Sequence, residues 1–281
     1  MAGENQPAGL ISDHQFAALT YKKYKEHFDH FYRLHQFAQS SLQNHSWFTR
    51  NHYDMALQYI CPRAFKSFDA IRRLCEVALC EDAAVILRCL LNLMAVTRWI
   101  SLDPENRAKK YLGWYWIEQH ERVERWPEKF SADAIADIQK HFETEKVQFE
   151  FITPKGKPDF AKQWYQPEAR TIRDLFKGVG LEKVYDDTYK PLSGTEHSDV
   201  MAYFSMFADA EFKNGERKLA IQSDGRVPEY LRHGFVYFAQ IFGIHNQTVV
   251  AANDQEFQQI VKEGTAFYLN DIKQKSKQPL V

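Results

Sequence analysis

The stretch from Ala83 to Ile100, AAVILRCLLNLMAVTRWI, constrains this chain more than any other. Roughly 20 apolar residues span a bilayer as a helix, and this run is nearly that long. Arg88, Asn92 and Arg98 interrupt it. A central arginine costs at least roughly 2.5 to 3.5 kcal/mol on insertion scales, so the run reads as the core helix of a bundle and not as a membrane span. Apolar nearly all round, it belongs at the bundle's centre. Arg88 is then the anomaly. A buried guanidinium cannot readily give up its proton, so it needs a carboxylate, several carbonyls or an anionic ligand close by. Glu76, on the preceding helix, is the nearest obvious carboxylate, and Asn92 stacks one turn from Arg88 on the same face.

The rest of the chain reads as helix. Tyr24, Phe28, Phe31, His35 and Ala38 mark one buried face over Asp13 to Ser40. A second helix is expected from Asn51 to Ile60, with Pro62 separating it from a third, Arg63 to Cys80. Glu81 and Asp82 suit the positive end of the apolar helix, and Asp103-Pro104 ends it. Another helix, Pro104 to Arg125, carries Tyr111, Trp114, Tyr115 and Trp116; Ser131 caps a further one to Val147. Residues 148–163 read as an irregular, mobile loop. Short helices follow around Arg170 to Lys177 and Leu181 to Tyr189. Pro191 stops the pattern, and Ser193-Gly-Thr-Glu196 offers a capping box for a helix to about Phe207. Asn-Gly within EFKNGERKLAI predicts a hairpin, and helices near Pro228 to Ala251 and Asp254 to Lys273 complete the chain. The expected fold is all-α: one helical domain over 1–281, a multi-helix bundle with a central apolar helix at about 83–101, a helical extension at 1–60 and a small β-hairpin insertion at about 211–221.

Lys plus Arg (36) nearly cancels Asp plus Glu (37), so polyanion binding needs a local patch; Lys155 to Lys177, with Trp164 and Tyr165, is the best one. The opening MAGENQPAGLISDH lacks the parts of a secretory signal, which makes a cytoplasmic protein the expectation. Cys61, Cys75, Cys80 and Cys89 contain no CxxC pair and read as buried thiols. His27 and His30 lie three apart, but spacing alone does not make a metal site, and no metal or cofactor is expected. P-loop, GxSxG and Gly-rich dinucleotide motifs do not occur. The remaining chemistry sits in VYDDTYKPLSGTEHSDVMAY. There Tyr185 and Tyr189 are one turn apart, and with Ser193 as N-cap, His197 falls in a first turn, where the dipole favours a neutral imidazole able to act as a base.

Two blocks, RAFKSFDAIRRLCEVALCEDAAVILRCLLNLMAVTRWI from Arg63 to Ile100, and Trp164, Arg170-Thr-Ile-Arg173 and Tyr185-x3-Tyr189-x3-Ser193-x3-His197 in that order, resemble a bacterial all-helical family known as a domain of unknown function. The resemblance implies that Arg88, Tyr185, Tyr189, Ser193 and His197 converge. It also exposes a departure: the family commonly has a glutamate four residues after the arginine, where this chain has Asn92. Such bundles are distantly similar to helical RNases of toxin and phage-defence systems, whose sign is Arg, four to six residues, then His. Arg226 and His233 meet that spacing, but about one match is expected by chance, and Pro228 lies within it.

Three functions follow as expectations. The first is a polar pocket of Arg88, Asn92, Tyr185, Tyr189, Ser193 and His197 that binds an anionic small molecule or nucleotide-like group. Next is a metal-independent RNase with His197 as the acid–base group and Arg88 steadying phosphate charge. Last is a scaffold, as a homodimer or with another partner, docking through Trp114 and Trp116 or through Lys155 to Lys177.

Overall fold

The computed structural model of the chain describes residues 13–44, 49–196, 212–213, 216–217, 224–250 and 255–275. The first buried stripe forms two helices where one was expected, α1 (Asp13–Lys23) and α2 (Lys25–Asn44). Their junction is slight: Tyr24 N donates to Thr20 O at 3.0 Å and Phe28 N to Tyr24 O at 3.1 Å. Helix α3 (His52–Glu76) begins at Asn51, whose Oδ1 accepts from Asp54 N at 2.8 Å. It runs straight through Pro62, which was expected to divide it. A proline inside a helix costs about 3 kcal/mol. On another face of the same helix a stripe including Leu57, Ile60, Phe68 and Ile71 is fully buried, and each such side chain contributes about 1.5–3 kcal/mol, so burial outweighs the break.

Helix α3 closes with Leu79 N donating to Leu74 O at 2.9 Å while Ala78 takes a positive φ of 52°, the Schellman arrangement usually given to glycine. That turn sends the apolar run back along α3 as α4 (Cys80–Leu102), with Glu81 and Asp82 in its first turn as expected. Pro104 opens α5 (Pro104–Arg125), and α6 (Ala132–Glu145) starts at Ser131, whose Oγ accepts from Ala134 N at 3.2 Å. The following stretch, read as irregular from sequence, forms a short antiparallel hairpin of β1 (Glu150–Ile152) and β2 (Pro158–Phe160). Its turn uses Gly156 at φ 75°, where a side chain would be strained. Then come α7 (Ile172–Gly178), capped by a Thr171–Asp174 box, and α8 (Glu182–Val184), which leads through a π-helical turn (Tyr185–Tyr189) into α9 (Lys190–Glu196). The hairpin foreseen near 211–221 pairs β3 (Phe212–Lys213) with β4 (Glu216–Arg217). Helix α10 (Val227–His245), a second π turn (Asn246–Val250) and α11 (Gln255–Lys275) complete the described chain.

The fold is thus a helical bundle built around α4. That helix packs on α3 and α10 and also meets α5, α7 and α9; it buries Leu87, Leu90, Leu91 and Ile100 completely. It is a helix long and apolar enough to cross a membrane, and most of it is buried inside the protein. Behind it, Phe31 of α2 stacks on Phe68 of α3 at 3.8 Å, and Phe68 stacks on Phe238 of α10 at 4.4 Å, which ties three helices through one column of rings.

Helix α7 comes so close to α4 that a Cβ on Gly178 would lie 2.3 Å from Cζ3 of Trp99. On the ring's other contact, the Arg107 guanidinium lies 3.7 Å from its centroid, so the indole has little room to yield. Gly178→Ala is therefore expected to destabilise the protein by about 1–3 kcal/mol in urea unfolding. A variant as stable as the parent would show that α7 does not dock on Trp99.

Candidate functional site

Arg88 and Asn92 project from one face of α4, and both are half-buried. The guanidinium meets Tyr189 twice: Nη2 donates to the phenol oxygen at 3.2 Å, and Cζ lies 4.9 Å from the ring centroid. Tyr189 is buried, and its ring stacks on Tyr185 at 5.1 Å with an interplanar angle of 18°. Phe176 of α7 wedges against both rings, at 5.4 Å from Tyr185 and 5.0 Å from Tyr189. Asn92 Oδ1 is buried and accepts no hydrogen bond from the described residues. A buried carbonyl in that condition costs about 1–3 kcal/mol, which makes it a place where an incoming donor gains.

The local backbone explains how Tyr189, with Tyr185 stacked on it, reaches Arg88. Lys190 N donates to Tyr185 O, a bond one residue longer than in an α-helix. The widened turn lets the chain pass Pro191, which has no N–H to give, so the helix continues to Glu196 instead of stopping. This overturns the expected capping box: Ser193 lies inside α9 and is not an N-cap, so the placement of His197 in a new first turn loses its premise. His197 itself, and the helix foreseen to Phe207, lie outside the described residues.

Two further neighbours escaped the sequence reading. Tyr165, seen there only as part of a basic patch, carries a phenol raised above its ordinary value, first by burial and then by Tyr189, Asp174 and Tyr185 nearby. On α10, burial lifts Tyr237 to about 12, partly offset by a hydrogen bond from the Thr188 side chain, which precedes Tyr189. One turn earlier, His233 stacks on Tyr237 at 5.6 Å, with its Nδ1 buried and unpartnered. Nothing in the spacing of these residues along the chain marks them; only packing gathers them.

Other sequence expectations resolve differently. Glu76 does not serve Arg88: it accepts from Arg72 Nη1 at 2.6 Å and from the Tyr32 hydroxyl, while Arg72 Nη2 also reaches Asp69 at 2.7 Å. Trp164 is 8% exposed and packs edge-on against Tyr111 at 5.1 Å, so it belongs to the core and not to a stacking surface. His27 and His30 both pack on Phe267, and among the described residues no three His, Cys, Asp or Glu side chains gather as a metal would need. Cys61, Cys75 and Cys80 are buried, with burial pushing each thiol up, in Cys80 to about 12; Cys89, contrary to expectation, is exposed. Trp114 packs edge-on against Phe149 and Trp116 stacks on His141 at 4.0 Å, so both rings are engaged within the chain.

Residues 54–215 match DUF5677, a family of unknown function, and the chain belongs to that family. The matched span contains Arg88, Asn92, Tyr185, Tyr189, Ser193 and His197. No curated protein and no solved structure matches the chain.

Burial, with Arg232 beside it, lowers His233 to about 4. Its folded value lies below the unfolded value of about 6.5, so its contribution to stability is complete above that pH. That contribution is lost as pH falls toward 4, by on the order of 3 kcal/mol. Burial lowers His30 and His35 in the same direction. Urea unfolding between pH 7 and pH 4.5 is expected to show this fall, and His233→Gln should remove a large part of the slope; an unchanged slope would assign the loss to the other two histidines.

Proposed function

We propose that this member of a family without an assigned function binds an anionic, nucleotide-like small molecule where α4 meets the π turn. The observation that carries the reading is the contact between Arg88 and Tyr189. A guanidinium set in the most apolar helix of the chain lies against a phenol that is itself stacked on a second phenol. A guanidinium matches phosphate or carboxylate oxygens with paired donors, and a stacked aromatic pair suits a planar base. The buried Asn92 carbonyl, which has no donor among the described residues, supplies a group able to read an amino edge. In this reading Arg88 holds the anion, Tyr185 and Tyr189 hold the ring, and Asn92, Ser193 and His197 are further contacts. Arg88, Asn92, Tyr185 and Ser193 are all half-buried, so a ligand can reach them without unfolding the bundle.

Isothermal titration and thermal unfolding against a panel of nucleoside mono-, di- and triphosphates, with free nucleosides as the uncharged control, test the reading. At least one phosphorylated member is expected to bind, and at a hundredfold excess over Kd it should add about 2.7 kcal/mol of stability, a rise of about 5 °C in Tm for a chain of this size. Arg88→Ala should weaken binding about tenfold to a hundredfold. Binding that is absent throughout the panel, or equal in Arg88→Ala, overturns the assignment.

For Tyr189→Phe, which keeps the ring and removes the hydroxyl that Arg88 donates to, the unliganded protein is expected to lose about 1–3 kcal/mol. Guanidinium-denaturation midpoints measure it directly.

A further inference from the structure

The β1–β2 hairpin and the segment leading into α7 enclose an open groove of about 840 Å³. Lys155, Lys157, Lys162 and Arg170 line it, all four exposed, with Asp159 as the acid among its lining residues. These four, like several exposed cations elsewhere such as Lys66 and Lys140, join no ion pair among the described residues; what sets them apart is that they line one groove. Asp159 joins none of them in an ion pair among the described residues, its Oδ1 accepting from Phe160 N at 2.9 Å, and one carboxylate against four cations leaves the groove net positive.

The backbone that carries the four charges is held in place. Thr153 N donates to Lys157 O at 2.8 Å and Lys157 N to Thr153 Oγ1 at 3.1 Å, which closes the turn bearing Lys155 and Lys157. Across the groove, Gln166 Oε1 accepts from Lys162 N at 2.8 Å while its Nε2 donates to Arg170 O at 2.9 Å, so one side chain staples the other two basic residues. The groove floor is apolar: Phe151 and Phe160 pack on the core behind and line the groove in front, and Ile152 is 66% exposed.

We propose that this groove binds single-stranded nucleic acid, with phosphates on the four cations and bases against the floor. A basic rim over an aromatic floor is the pairing that single-strand binders use, because backbone charge and base face are then met together. An acidic peptide would satisfy the cations but would place nothing planar on Phe151 and Phe160. The ordered turns favour binding further, since the charges are already grouped before a ligand arrives. This site shares no residue with the one proposed at Arg88, so the two stand or fall separately.

Fluorescence anisotropy with a fluorescein-labelled twelve-nucleotide oligouridylate tests it on the full chain. Binding is expected at 50 mM salt, and with up to four phosphates neutralised the plot of log K against log salt should have a slope of about −2 to −3. Lys155→Glu with Lys157→Glu should weaken binding at least about tenfold, as should Lys162→Ala with Arg170→Ala, with unchanged melting in both because the four side chains are exposed and unpaired. Ile152→Asp, also on the surface, should weaken it through the floor. No binding by the parent, equal binding by both paired variants, or full displacement by polyglutamate at equal charge concentration overturns the proposal; the last result would assign the groove to acidic polypeptide.

Discussion

The centre of this protein is arranged by the need to cover α4. Twelve of its residues, from Cys80 to Ile100, are buried, and no single partner helix can shield a surface that wide. Helix α3 takes one side through the tight turn at Ala78, α10 takes another, and α7 and α9 close on the remainder. At about 1.5–3 kcal/mol for each fully buried large side chain, this burial is large enough to override local costs, and the structure contains several such costs. Pro62 stays inside a helix, Ala78 takes a conformation that glycine would fill more easily, and Gly178 gives up a side chain so that α7 can approach Trp99.

Two arginines in the central hairpin show how differently a bundle can treat one residue type. Arg72 is saturated: Asp69 and Glu76 neutralise it and Tyr32 adds a third contact, so its chemistry is complete within α2 and α3. Arg88 meets a phenol by edge and by face on a segment a hundred residues later in the chain. A phenol orients a guanidinium through its oxygen and its ring face without bringing a charge of its own, whereas a carboxylate pair binds it charge to charge.

The π turn at Tyr185–Tyr189 joins backbone to site. One extra residue in the turn accommodates Pro191, keeps α9 continuous, and sets two tyrosine rings nearly parallel above Arg88. The same turn carries Thr188 to Tyr237, so α10 is linked to the site through the residue next to Tyr189. Phe176 supports the rings from α7, and α7 in turn depends on the glycine contact with Trp99.

The sequence by itself determined the helical class, the central place of the Ala83–Ile100 run and the hairpin near residue 212, because periodic burial and turn chemistry are properties of residue order; the meeting of Arg88 with Tyr189 was implied by the family resemblance and not by spacing. Tertiary structure decided the rest. Pro62 and Pro191 read as stops because proline lacks a donor, yet burial on both sides of one and a widened turn before the other carry the helices through. Glu76 was the obvious partner for Arg88 by proximity in sequence, but Arg72 lies one turn from it on the same helix and takes it first. Tyr165, Phe176, Tyr237 and His233 could not be tied to Arg88 from residue order, since they come from separate elements and acquire a shared environment only when those elements pack on one another.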